Sequence, residues 1–134
     1  MRDWYDPDRG NQTLLNFEAG TKQIATDSYY GIHTAQALEN CTVSGVKISL
    51  FPRFIIALAM VRKACMAANL EFGLLSPETA RAIGQACDDI IGGNLHEHFV
   101  VDLIQGGAGT STNMNANEAI ANRALEILGQ AKGS

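Results

Sequence analysis

The residues best suited to chemistry are concentrated in one stretch, GGAGTSTNMNANE at residues 106–118. Three glycines let the backbone approach a ligand without obstruction by side chains: Gly106, Gly107 and Gly109. Three hydroxyls and one amide follow where a helix is predicted to begin: Thr110, Ser111, Thr112 and Asn113. A helix amino terminus offers unpaired N–H donors and a partial positive charge, so the pattern predicts a site for a carboxylate or a phosphate.

The same stretch also has a purely structural interpretation. A glycine turn followed by threonine and serine is a common way of capping a helix. A nucleotide-binding P-loop is disfavoured, because the lysine of GK[ST] is absent and no clear strand pattern precedes the glycines. Asparagine is a poor helix former, so a helix interior rich in polar residues favours a partly buried face that lines a site. These residues are Asn113, Asn115, Asn117, Glu118 and Asn122.

Other reactive side chains give weaker signals. His96 and His98 flank Glu97, but a zinc site needs a third ligand and the sequence indicates none. We therefore expect a solvated loop there and no metal. The three cysteines are scattered without a CxxC pair, which is typical of reduced, buried thiols in a cytoplasmic protein. They are Cys41, Cys65 and Cys87.

Three helices are predicted to position these residues. Pro52 suits the first turn of a helix that ends at Gly73. Its inward stripe is predicted from the spacing of apolar residues: Phe54, Leu58, Val61, Cys65 and Ala68. A second helix is predicted to begin at the Ser76-Pro77 cap and to end at residues 92–94. The residues predicted to face inward are Ala80, Ile83, Cys87 and Ile90. The third is predicted over residues 112–128 and closes at Gly129.

The amino-terminal part of the chain has less helical character. Residues 1–12 are polar and lack periodicity, so we expect a flexible tail, followed by one domain over residues 13–134. Glycines and β-prone residues predict short strands or extended loops over residues 13–40, and partial alternation predicts another extended piece over residues 42–49. The fold class is therefore mainly α, with short extended segments before the first long helix.

Composition excludes several classes of partner. The formal net charge is −4, whereas nucleic acids and anionic membrane surfaces require a basic footprint. The longest apolar run, FIIALAMV at residues 54–61, is too short to span a bilayer. We expect a soluble protein without a targeting segment, and no nucleic-acid or membrane partner.

Several blocks together resemble the aspartate ammonia-lyases of the aspartase/fumarase superfamily. QGGAGTSTNMNANE at residues 105–118 looks like the first signature region of that family, and DSYYGIHTAQALEN at residues 27–40 resembles its DAYYGVHTxRAxEN segment. VRKACMAANLEFGLL at residues 61–75 also matches in place and order. Class II fumarases are similar, but they tend to read WGAQT and TGSGTQSN at the corresponding places. The resemblance implies the amino-terminal helical domain of such a lyase.

The resemblance also implies a function. The complete enzyme is expected to convert L-aspartate reversibly to fumarate and ammonia, without a cofactor, as a cytoplasmic homotetramer with active sites shared between subunits. Thr110 is implied to contact the substrate carboxylate or amino group, with Asn113 shaping the site and Ser111 and Thr112 as neighbours. Gln36 departs from the family pattern, because it replaces an arginine and loses a charge-assisted anchor.

The catalytic groups of the family are expected to lie outside this chain. The GSSxMPxKxN loop that carries the catalytic serine does not occur in the sequence, nor do the STNDxxPT and GRTHxQDA regions. We therefore expect no catalytic residue in this chain, no central helical or carboxy-terminal domain, and no activity from the chain alone. A fumarase-type hydro-lyase fragment and a non-enzymatic helical association module are the alternatives.

Overall fold

A computed structural model describes residues 12–17 and 20–133 of the chain. The described residues form a β-hairpin followed by four α-helices, so the predicted mainly α fold is confirmed. The strands are β1 (Gln12–Phe17) and β2 (Gly20–Ala25). The helices are α1 (Ile32–Asn40), α2 (Pro52–Glu71), α3 (Pro77–Ile91) and α4 (Thr110–Ile127). Short 3₁₀ turns cover Ile48–Leu50, His96–His98 and Gly107–Gly109.

The amino-terminal hairpin fulfils part of the prediction for residues 13–40. β1 and β2 pair antiparallel, with Gln12 opposite Ala25 and Phe17 opposite Gly20. The predicted flexible tail lies outside the described residues, except that Gln12 opens β1. The extended prediction is wrong for α1. The first N–H groups of α1 are bound by Glu118, which is more than eighty residues away in sequence, so no local pattern could reveal the cap.

The segment over residues 42–49 was also predicted to be extended, and this is wrong for most of it. The chain bends over residues 43–45, makes one isolated bridge between Lys47 and Asp102, and enters a 3₁₀ turn. The Asp102 carboxylate causes the bend, because it accepts hydrogen bonds from the backbone N–H groups of Val43, Ser44 and Gly45 at 2.7–3.1 Å.

The predicted ends of α2 and α3 are confirmed, as is the carboxy-terminal end of α4. Pro52 and Pro77 occupy the first helical positions, and the Ser76 hydroxyl accepts from the Thr79 N–H at 3.1 Å. Gly73 and Gly129 follow their helices with φ values of 69° and 71°, in the left-handed region that favours glycine. The last helix begins two residues earlier than predicted.

The core lies where α3 and α4 pack on each other and on one side of α2. Its largest fully buried apolar side chains are Phe99, Ile48, Ile55, Ile90 and Val101. The inward face predicted for α3 is confirmed, with Ile83 only partly buried.

The stripe predicted for α2 is wrong by about one position. Ile55 and Ala59 are buried, whereas 43% of Phe54 and 54% of Val61 are exposed. Because the first half of α2 is apolar on nearly every side, its sequence does not specify which face turns inward. Several large apolar side chains of α2 and the turn after it remain exposed: Phe54, Met60, Val61, Leu70, Phe72 and Leu74.

The cysteines occupy three different environments. Cys87 is buried, and desolvation raises the pKa of its thiol to about 11. Cys41 is half-buried, and Cys65 is exposed on α2, which corrects the prediction that all three are buried. The helices in the described part of the chain are too short or too polar to cross a membrane.

Candidate functional site

The glycine turn before α4 has an unusual backbone. Gly107, Ala108 and Gly109 have φ values of 64°, 59° and 78°, so three consecutive residues adopt the left-handed conformation. Glycine adopts this region without penalty, but an alanine there costs about 1–2 kcal/mol. Strain of this kind is concentrated in proteins at functional sites. Gly106 has a φ of −78° and does not need to be glycine for conformational reasons.

The turn leaves the amino terminus of α4 open. The N-cap residue is Gly109, and no side chain caps the helix there. The Thr110 hydroxyl instead donates to the Gly107 carbonyl at 3.0 Å. The structural interpretation, in which these hydroxyls cap the helix, therefore does not describe this turn. First-turn N–H groups that no side chain caps, together with the helix dipole, are suited to an anion.

The predicted site residues lie on two faces of α4. Thr110 and Asn113 are exposed and three residues apart, which places them together on one face. Ser111 is half-buried, and Thr112 is turned into the protein with 7% of its surface exposed. Thr110 and Asn113 are thus the predicted residues that a ligand can reach directly.

The buried asparagines of α4 have structural roles. The Asn115 side chain accepts from the Val100 N–H and donates to the His98 carbonyl, both at 2.9 Å. Asn122 similarly donates to the Tyr29 carbonyl and accepts from the Gly133 N–H at 2.9 Å. These amides satisfy backbone groups of irregular segments, so the interpretation that the whole polar face lines a site is wrong for Asn115 and Asn122.

Glu118 also binds backbone rather than facing the candidate site. Its carboxylate accepts from the N–H groups of Gly31, His33 and Thr34 at 2.9–3.1 Å and from the Thr34 hydroxyl at 2.6 Å. A Cβ on Gly31 would lie 2.8 Å from a Glu118 carboxylate oxygen, so a side chain there would displace the carboxylate from its present position. The carboxylate caps α1 and complements its dipole.

Arg62 is the residue near the site that sequence reasoning missed. It lies on α2, and its Nε donates to Asn117 Oδ1 at 2.8 Å while its Nη2 donates to Asn113 Oδ1. No local signal in the sequence indicated it, because Arg62 is one of several charged residues in α2. Contact between α2 and α4 depends on packing, which the sequence pattern does not specify.

The histidine turn is more buried than predicted. His96 Nε2 lies 2.8 Å from the Ile90 carbonyl, and His98 Nδ1 accepts from the Tyr29 N–H at 3.4 Å. Burial lowers the pKa of His98. Across residues 12–17 and 20–133, no three His, Cys, Asp or Glu side chains are arranged to hold a metal ion.

Comparison with known families decides the affiliation of the chain. The model of the lyase family matches residues 20–133, which include both the hairpin strand β2 and all of α4. The chain belongs to the lyase family. Among curated lyases, the aspartate ammonia-lyase of Pseudomonas aeruginosa is 54% identical over 114 residues. That match covers 85% of this chain and 24% of the relative, so the chain spans about a quarter of the length of such lyases.

Solved structures of lyases agree with this affiliation. A fumarate lyase:delta crystallin from Brucella melitensis has a TM-score of 0.89 and 50% sequence identity, covering 92% of this chain and 27% of its own. A class II fumarase from Schistosoma mansoni has a TM-score of 0.83 and 28% identity, covering 92% and 26%. The resemblance to aspartate ammonia-lyases is therefore confirmed, together with the helical fold.

Proposed function

We propose that this chain forms the substrate-carboxylate-binding part of an ammonia-lyase that reversibly converts L-aspartate to fumarate and ammonia. The observation that carries the proposal is the open amino terminus of α4, with Thr110 and Asn113 on its exposed face. The glycine turn leaves space in front of them, since a Cβ at Gly106, Gly107 or Gly109 would have no neighbour within 4 Å. Aspartate ammonia-lyases at 54% identity support this choice of substrate.

In the proposed reaction, a base removes a proton from C3 of L-aspartate. The electron pair left on C3 forms the C2–C3 double bond as the C2–N bond breaks and ammonia leaves. Negative charge grows on the carboxylate next to C3 in the intermediate, so preorganised donors stabilise it more than they stabilise the substrate. The first N–H groups of α4 are donors of this kind, and the Thr110 hydroxyl becomes one when its proton turns from the Gly107 carbonyl to the substrate. The Asn113 amide binds the same carboxylate in substrate and intermediate alike.

The base belongs to another part of the complete enzyme in this proposal, because the serine-loop signature of the family does not occur in these 134 residues. We propose further that the complete enzyme is a cytoplasmic homotetramer with shared active sites. Ser111, which is half-buried, and Thr112, which is buried, are assigned to the same substrate-binding site in this proposal. The chain alone is accordingly expected to be inactive.

A chimaera tests the proposal. Residues 20–133 replace the matched segment in the Pseudomonas aeruginosa aspartate ammonia-lyase, and fumarate formation from L-aspartate is followed by ultraviolet absorbance. We expect an active chimaera and no fumarate from the 134-residue chain alone. A folded chimaera that forms malate from fumarate but does not release ammonia from L-aspartate would favour the hydro-lyase alternative. Activity of the chain alone would contradict the assignment of the base to another part.

One observation favours a second candidate, the association module. The exposed apolar residues of α2 give the chain a surface that is suited to packing against another protein segment. This candidate does not use the glycine turn. It predicts a chimaera whose activity is insensitive to substitutions at Thr110 and Asn113.

A further inference from the structure

Arg62 connects α2 to the exposed face of α4 through two amide side chains. It donates to the oxygens of Asn113 and Asn117, which are four residues apart and therefore adjacent along α4. Both partners are neutral, so the guanidinium charge is not consumed in an ion pair with either of them. The neighbouring Lys63 is turned elsewhere and pairs with Asp88 at 2.6 Å.

The chemistry of the guanidinium fixes the orientation of both amides. Arginine carries only N–H donors, so an asparagine that bonds to it must present its oxygen. The amide nitrogen of Asn113 is then not the atom bonded to Arg62, and because the side chain is exposed its two N–H donors are accessible to a ligand. The opposite orientation would place donors against donors.

We propose that Arg62 is a positioning residue for the carboxylate site: it holds Asn113 with its N–H donors directed toward the substrate. The inference rests on the proposed function, since it requires that Asn113 faces a carboxylate. Arg62 also places a positive charge behind the amide, which favours a dicarboxylate substrate. A lysine is a poor replacement, because a single ammonium lacks the planar fork that reaches two amide oxygens in fixed geometry.

A purely structural role for Arg62, tying α2 to α4, makes different predictions. Under that role Asn113→Asp strengthens the interaction of Arg62 with α4, because a carboxylate is a stronger partner for a guanidinium than an amide is. Under the positioning role the same substitution replaces donors with an acceptor that repels the substrate carboxylate. Asn113→Asp therefore separates the two roles even if Arg62 variants fold poorly.

The test is a double-mutant cycle in the active chimaera, with kcat and KM for L-aspartate and the melting temperature measured for each variant. We expect Arg62→Met to raise KM about tenfold while changing kcat by less than about threefold, as for the loss of one oriented hydrogen bond. In the Asn113→Ala background, Arg62→Met should raise KM by less than about twofold, because the amide it positions is gone. Arg62→Lys should recover only part of the loss.

Two controls separate failure of this inference from failure of the proposed function. Thr110→Val tests the carboxylate site itself, and Asn117→Ala removes the second amide without altering Asn113. Suppose that Thr110→Val impairs the chimaera. The positioning role is then overturned if Arg62→Met raises KM by the same factor in the parent and in the Asn113→Ala variant, or if Asn113→Asp keeps the KM of the parent. If Thr110→Val has no effect, the carboxylate site fails first and the role of Arg62 fails with it.

Discussion

At the level of single residues, the left-handed turn of Gly107, Ala108 and Gly109 sets the direction in which α4 begins. Each glycine there could be required for its conformation or for the space that it leaves. Since an added Cβ would meet no neighbour at Gly106 or Gly109, differences between these two positions report conformation alone.

This difference yields a prediction for stability. Gly109→Ala places a side chain at a φ of 78° and should lower the free energy of unfolding by about 1 kcal/mol relative to Gly106→Ala, whose φ is −78°. Urea denaturation of the chain measures both variants under identical conditions. Equal stability of the two would show that the turn is not held in the left-handed conformation.

Asp102 leads to a prediction of pH dependence. Hydrogen bonds from Ser44, Gly45 and Ile104 lower the pKa of this carboxyl to about 2 from its usual 3.8. Because the folded pKa lies below the unfolded one, the carboxylate contributes stability above about pH 4, and this contribution is lost as the pH falls toward 2.

Urea midpoints of the parent and Asp102→Asn chains test this dependence. The difference between them should be constant from pH 7 to about pH 5 and should shrink as the pH falls from 4 to 2.5. A difference that stays constant down to pH 2.5 would contradict the role of the ionised carboxylate.

At the level of secondary-structure elements, α1 depends on a residue of α4. The Glu118 carboxylate binds the first N–H groups of α1, so this nine-residue helix is capped from outside itself. An isolated helix of this length is only marginally stable in water. The hydrogen bonds to Glu118 therefore make the stability of α1 depend on α4.

Removal of the Glu118 carboxylate should destabilise the fold and loosen α1 first. We expect Glu118→Ala to lower the free energy of unfolding by about 2–3 kcal/mol, because several partly buried N–H groups lose a charged acceptor. Amide hydrogen exchange in α1 should accelerate more than in α3. Glu71→Ala, an exposed glutamate at the end of α2, is the matched control and should change little.

The elements also show which features a sequence can predict. The ends of α2 and α3 are specified by residues next to them in sequence, and they were predicted correctly. These residues are Pro52, Gly73 and Ser76. Two features that depend on distant partners were not predicted. The start of α1 needs Glu118, and the bend after α1 needs Asp102. These partners lie 57 to 87 residues away in sequence, beyond any local periodicity.

The features of the candidate site also fall into those that the local sequence predicts and those that depend on tertiary contacts. Its position at the glycine turn followed from residue types within one short segment. The separation of Thr110 and Asn113 from Thr112 needed the orientation of α4, and the contribution of Arg62 needed the packing of α2 on α4. Tertiary contacts decided both.

At the level of the whole molecule, the exposed apolar surface of α2 should determine the behaviour of the isolated chain. Met60 and Val61 are each 54% exposed, and neighbouring large side chains extend the patch. We expect the 134-residue chain to self-associate with rising concentration, as measured by light scattering after size exclusion. Met60→Gln with Val61→Gln should reduce association, whereas Arg81→Gln on an exposed part of α3 should not. A monomer at all concentrations would show that this surface is not sufficient for association.

The measurement that tests the central claim most directly is kcat/KM for L-aspartate in the active chimaera carrying Thr110→Val. This substitution preserves the shape of the side chain and removes its hydroxyl, while Thr42→Val makes the same change in an exposed loop. We predict a loss of about 10- to 100-fold for Thr110→Val, the range expected for a charge-assisted hydrogen bond of about 1.5–3 kcal/mol, and no loss for Thr42→Val. Equal activity of the two variants would contradict a carboxylate site at the start of α4.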